Sequence, residues 1–202
     1  RLTQVELESF EPDVVFSYGA RPLDLLTQYE ARYRGILTGT YLVNGTYASN
    51  RWCLDSNFIF TDTQATANHY KKKLLLSPIC IGKFINKKSV ISETNSRESI
   101  LMVNPAVEKG GFILAQIVDW FSKYRPDIPF DVVKGRSGWD EIDTAYRSHI
   151  SKEKPFDNVN AMPHQKNIKT AFKRARITLV PSLWYESGAR IIAESLLNKV
   201  PC

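Results

Sequence analysis

Short apolar runs alternate along this chain with longer stretches of helical period, and no other feature limits the fold as much. "DVVFSY" (13–18), "GILTGTYLV" (35–43) and "FIFT" (58–61) read as strands; "RPLDLLTQYEARYR" (21–34) and "TQATANHYKKKLLL" (63–76) read as the helices between them. Strands joined through helices lie parallel in one sheet, with the helices packed on its faces, so the pattern predicts an α/β protein. Pro22 suits a first helical turn, where its missing N–H leaves nothing unpaired.

Between residues 84 and 99, "FINKKSVISETNSRES" turns polar and charged and loses any apolar period, which marks a linker over 89–98. The alternation then restarts. "SILMV" (99–103), "FDVVK" (130–134) and "ITLVP" (177–181) read as strands; 108–124, 139–150, 167–176 and 189–198 read as helices. Two αβ units are expected, residues 1–88 and 99–202, with no sequence repeat relating them. At 43% hydrophobic over 202 residues, the chain has enough apolar material for real cores.

Charge narrows the partners. The 27 Lys and Arg against 21 Asp and Glu leave +6, which favours anionic ligands. The densest basic run, Lys71 to Lys73, is followed by "LLLSP" and reads as a solvated helix end; with no basic arm and no zinc-finger spacing, nucleic acid is not expected as a partner. Cys53, Cys80 and Cys202 are odd in number and widely spaced, so they give neither a disulfide framework nor a metal knuckle, and a reducing, cytoplasmic setting is expected. No apolar run reaches the roughly 18 residues of a membrane span, and no signal-like segment opens the chain. Asn44-Gly45-Thr46 matches a glycosylation sequon but reads as a turn. The chain opens on Arg1 instead of Met and is expected to be trimmed at its start.

In a doubly wound sheet, ligands bind beyond the carboxyl ends of the strands, so the loops that follow strands are where chemistry is sought. Three stand out in the second unit. "NPAVEKGG" (104–111) carries Lys109, "GRSGWDE" (135–141) carries Arg136 between two glycines, and "PSLWYESGA" (181–189) leads into the last helix. Cations, glycines and helix-starting amides on one edge are the equipment of a phosphate site, with Gly188 and Ala189 at the helix start. Gly110, Gly111 and Gly188 serve equally well as ordinary tight turns.

Glu186 and Glu194 are the two carboxylates of the closing stretch. Eight residues of helix rise about 12 Å, too far for an acid/base pair flanking one bond. Acceptors that far apart suit different hydroxyl groups of one elongated ligand, with its phosphates between them.

These residues resemble the retaining, GT-B-fold glycosyltransferases of family 4, also called group 1. The likeness rests on "PSLWYESGARIIAESLLNKVP" (181–201), which is similar to the pattern PS-x-W-x-E, then Gly and Arg, then a second Glu; it is joined by "MVNPAVEKGG" (102–111) and by "AMPHQKNIKTAFKRARITLVPS" (161–182). In the first unit, "FEPDVVFSYG" (10–19) and "FIFTDTQATANHYKKKL" (58–74) are similar, more generically, to the later elements of the family's acceptor domain. The resemblance implies two Rossmann-like doubly wound domains, each incomplete here: 1–88 as the C-terminal part of the acceptor-side domain and 99–202 as the N-terminal part of the nucleotide-sugar donor domain. The chain would then be an internal fragment of a longer enzyme.

Carried over residue by residue, the resemblance implies that Glu186 contacts the donor sugar and Glu194 the ribose hydroxyls. Backbone amides from Gly188 through Ala189 to Arg190 would face the pyrophosphate or sugar, and Lys109 would offset the charge of the departing diphosphate. An Arg common five residues before that Lys is replaced here by Asn104, so either Arg136 substitutes or activity is reduced. The usual Phe-Gly is replaced by Gly188-Ala189. Neither metal nor cofactor is implied; the partners are a nucleotide sugar and a hydroxyl acceptor such as a saccharide or lipid-linked saccharide, with any peripheral membrane contact left to the part preceding Arg1. His69, His149 and His164 match no family catalytic position. A nucleotide-sugar epimerase of the same fold, and a non-catalytic α/β module motivated by Asn104, stay open as alternatives.

Overall fold

The structure, a computed structural model, describes residues 2–43, 45–150 and 154–202. The sequon asparagine, Asn44, lies outside them. The chain forms two compact units. The first holds residues 1–84 together with Tyr185–Gly188; the second holds Ile85–Trp184 and Ala189–Cys202.

Among its described residues, the first unit runs α1 (Leu2–Phe10), β1 (Val14–Ser17), α2 (Pro22–Tyr33), β2 (Leu37–Leu42), β3 (Phe58–Thr61), α3 (Gln64–Leu74) and β4 (Ile79–Cys80). The strands pair in parallel in the order β1-β2-β3-β4. Pro22 opens α2 as the sequence predicts, and the Arg21 N–H donates to Asp24 Oδ2 at 3.1 Å in the first turn. At α3, Thr63 caps the start by accepting the Thr66 N–H at 3.2 Å, and Leu75 ends it in the left-handed region. Lys71, Lys72 and Lys73 are all exposed in its last turn, where they complement the negative end of the helix dipole.

Leu42, Trp52, Cys53 and Tyr70 form the apolar core of this unit. Beside it lies a network of buried and half-buried polar side chains. Buried Gln28 donates to Thr40 Oγ1 at 3.0 Å and accepts from Ser56 Oγ at 2.9 Å, while Thr40 and Ser56 share a bond at 2.6 Å. A closed network of this kind avoids the cost of leaving buried polar groups unpaired, about 1–3 kcal/mol each.

Among its described residues, the second unit runs α4 (Lys87–Val90), β5 (Ser99–Val103), α5 (Gly111–Tyr124), β6 (Phe130–Val133), α6 (Trp139–His149), β7 (Val159–Met162), α7 (Lys169–Arg174), β8 (Ala175–Thr178) and α8 (Arg190–Leu197). The sheet order is β7-β6-β5-β8, all parallel. Successive strand residues face opposite layers: Met102 and Val132 join Leu114, Val118 and Ile142, whereas Leu101 and Val133 join Phe172, Ala175 and Val200. Helices therefore cover both faces, as a doubly wound sheet requires.

Several details depart from the sequence reading, which expected no element at α1, β4 or α4. The helix expected over 167–176 is cut to Lys169–Arg174, because Ala175 already pairs with Ser99, and the strand expected at 177–181 correspondingly runs from Ala175 to Thr178. β7 was not expected at all; it is an edge strand with a weak pattern, Asn160 and Ala161 both being exposed. Within the polar stretch, Val90 is buried against Phe172, and Asn198 accepts the Ser92 N–H at 2.8 Å while donating to the Val90 carbonyl at 3.1 Å.

Candidate functional site

Because β6, β5 and β8 are adjacent and parallel, the loops that follow them leave the same edge of the second unit's sheet. They brace one another. Asn104, directly after β5, takes a left-handed conformation (φ 61°), which Asn tolerates better than most residues. Its N–H donates to the Val133 carbonyl at 2.8 Å, and its Oδ1 accepts the Arg136 N–H at 2.8 Å. A single turn of 3₁₀ helix over Val107–Lys109 follows, and the Glu108 carbonyl accepts the Leu183 and Trp184 N–H groups at 3.0 and 3.1 Å. Arg136 reaches Glu108 Oε1 at 3.7 Å, with both side chains well exposed. Lys109 is half-buried on the same loop.

The last helix is fixed by its strand. Thr178 on β8 and Ser195 on α8 share a hydroxyl bond at 2.6 Å, both fully buried. Glu194, 8% exposed, accepts from Arg190 Nε through Oε1 at 2.6 Å, and Oε2 has no partner among the described residues. Ala189 is the N-cap of α8 and has no side-chain acceptor, so the first-turn amides of the helix carry no side-chain cap.

Glu186 and Gly188 belong to the first unit. Glu186 lies before α8 starts at Arg190, so the spacing of a continuous helix does not describe its distance from Glu194. Its segment is held by side chains that sequence reasoning did not single out. Thr66 Oγ1 donates to the Ser187 carbonyl at 2.9 Å, Thr63 Oγ1 bonds the same carbonyl, and Ser187 Oγ donates to the Val43 carbonyl at 2.5 Å. The His69 ring packs 4.9 Å from that of Tyr185. Thr63 sits where a cap is expected, and that was the available signal; its partner is more than a hundred residues away in the chain.

Of the histidines, His69 is thus engaged with Tyr185 and Tyr70, while His149 and His164 are exposed. Among the described residues no group of three or more His, Cys, Asp or Glu is arranged to hold a metal ion, and no helix is long and apolar enough to cross a membrane.

No protein-family model matches the sequence, and no curated protein does. Solved structures do match. A crystal structure of TarM aligns with 99% of this chain at a TM-score of 0.78 and 14% identity, and HepE of Anabaena in complex with UDP-glucose aligns with 99% at 0.75 and 13%. The fold is GT-B. This GT-B chain spans 43% of the length of TarM and 61% of that of HepE. A UDP-GlcNAc 2-epimerase from Neisseria meningitidis, bound to UDP-GlcNAc, aligns with 88% of the chain at a TM-score of 0.51 and 17% identity, over 56% of its own length.

Proposed function

We propose that this chain is part of a cytoplasmic enzyme of the retaining, family 4 type that transfers a hexose or related sugar from a nucleotide diphosphate sugar to a hydroxyl acceptor. The acceptor is a saccharide or a lipid-linked saccharide. The observation that carries the proposal is the mutual bracing of the loops after β5, β6 and β8, which fixes Lys109, Arg136 and the uncapped start of α8 on one unit. Such a preorganised edge suits a diphosphate, since amides and cations already in place need not reorganise as charge develops on the leaving group.

In this reading Lys109 offsets that charge, Glu194 Oε2 accepts a ribose hydroxyl, and Glu186 contacts the donor sugar. No metal or cofactor is assigned a role. Asn104 carries no charge to offset the diphosphate; its Oδ1 accepts the Arg136 N–H, which supports a role for it in placing the loop that carries Arg136. The UDP and UDP-glucose of the HepE complexes support the choice of ligand.

Calorimetric titration of UDP into the protein tests the binding half, and release of UDP from UDP-sugars with and without acceptor tests the reaction. Binding to the parent chain, and its loss in Glu194→Ala, is expected; equal affinity of the two sinks the proposal. The likeness to the epimerase favours a second reading, for which free UDP appears without any acceptor.

A further inference from the structure

The Tyr185–Gly188 segment is held at the corner between β3 and the start of α3, and every contact is specific. The Ser187 carbonyl takes the Thr66 hydroxyl at 2.9 Å and is also bonded by the Thr63 hydroxyl, and Thr66 is wholly buried. Ser187 in turn donates to the Val43 carbonyl. The Tyr185 ring packs on His69 and covers Gly45 so closely that a Cβ there would lie 1.9 Å from Cδ1 of the ring. At the other end of the segment, Gly188 fits against Thr63 and Asp62, whose buried carboxylate is ion-paired with Lys83. Four consecutive residues are thus gripped by three backbone-directed hydrogen bonds, one ring contact and two close approaches, and Glu186 is the second of the four.

We infer that Thr66, with Thr63 and His69, is a positioning residue for Glu186: the β3–α3 corner sets the place of a carboxylate that it does not itself assist chemically. The inference rests on the role proposed above for Glu186. Two hydroxyls on the Ser187 carbonyl fix the Ser187–Gly188 peptide, one residue past Glu186, and the ring contact fixes the residue directly before Glu186. Freedom lost on both sides of a side chain is freedom the reacting complex need not remove.

Thr63 is a poor test because its side chain also caps α3. Thr66→Val removes one donor at nearly constant shape, and Thr66→Ser keeps it. Amide exchange of residues 183–189, followed by mass spectrometry on the protein as it stands, is expected to accelerate about tenfold in Thr66→Val and to stay near the parent in Thr66→Ser. Exchange in β1 to β3 stays unchanged. In parallel, turnover of UDP-sugar is expected to fall about tenfold in Thr66→Val with UDP affinity unaltered, the signature of a contact made at the reacting sugar. Gly45→Ala, which pushes the Tyr185 ring aside without touching the hydroxyls, gives the same pair of changes and covers the case of a misfolded Thr66→Val.

Unchanged exchange in both variants overturns the anchoring, and faster exchange with unchanged turnover overturns the positioning role. A parent protein that neither binds UDP nor turns over a UDP-sugar defeats the proposed function instead, and the exchange measurement still decides the anchoring.

Discussion

Asn104 Oδ1 accepts the Arg136 N–H at 2.8 Å, so the loop after one strand of the second sheet is tied to the loop after its neighbour by a single side chain. The same residue sits at φ 61°, where a Cβ is disfavoured. Asn104→Ala removes the acceptor and keeps the strained backbone, for a loss of about 1–2 kcal/mol in unfolding free energy. Asn104→Gly removes the acceptor and relieves the backbone, so it is expected to cost less. Urea titrations of the two variants check the order; an alanine variant at least as stable as the glycine one contradicts this account.

Arg190 and Glu194 couple stability to binding. Their contact is short, 2.6 Å, and unequal in exposure, the Arg190 side chain being 60% exposed and that of Glu194 only 10%. Arg190→Ala is expected to cost about 1–3 kcal/mol in unfolding free energy, because it leaves a mostly buried carboxylate without that donor. UDP affinity is expected to fall about tenfold as well, because Glu194 loses the group that orients it. Thermal unfolding and calorimetry on the same sample read both quantities, and a variant that binds UDP as well as the parent removes Arg190 from the site.

Some of this was legible in the sequence for a plain reason. Phe58–Thr61 and Ser99–Val103 are short apolar runs with polar bounds, and each is a strand over the expected residues. The loops after β5 and β6 were found because a cation and glycines follow a strand, which is a local signal. β7 gave no such signal, since an edge strand has one pairing neighbour and need not bury alternate residues. Asp131 shows the same limit inside the core: it is fully buried on β6 and held by Ser99 at 2.6 Å, Asn160 at 2.8 Å and Arg174 at 3.1 Å, three partners from three other elements. Nothing within ten residues of Asp131 announces that set. The anchorage of Tyr185–Gly188 was hidden for the same reason, Thr66 and Ser187 being 121 positions apart.

Cys53 predicts a pH-dependent difference among the three thiols. Burial beside Trp52 and Tyr70 pushes its thiol up to about 11, whereas Cys80 and Cys202 are exposed. At pH 8, an aromatic disulfide reagent is expected to label Cys80 and Cys202 promptly and Cys53 only after denaturation, because the thiolate is the reacting form. The stability sign follows from the same shift. From pH 9 upward the unfolded thiol ionises while the folded one stays neutral, so the contribution of Cys53 to stability is complete below pH 9 and is lost as the pH rises towards 11. Cys53→Ser titrated over the same range is expected to lack that component, and prompt labelling of all three thiols in the native protein rules the burial argument out.

Gly110 and Pro181 show how closely the loops after β5 and β8 approach. Gly110 sits at φ 88°, and a Cβ on it would fall 2.2 Å from the Pro181 carbonyl oxygen. Gly110→Ala therefore meets two penalties, a left-handed backbone that disfavours a side chain and a collision with main chain that has no rotamer to adopt. Together they amount to about 2–4 kcal/mol. The colliding atom decides between this and a side-chain explanation. Pro181→Ala removes the ring atom that would lie 2.8 Å away but leaves the carbonyl in place, so the double variant is expected to be no more stable than Gly110→Ala alone. Denaturant midpoints of the parent, both single variants and the double one close the cycle. Recovery of more than about 1 kcal/mol in the double variant would mean that the proline ring, and not the main chain, sets the contact between these two loops.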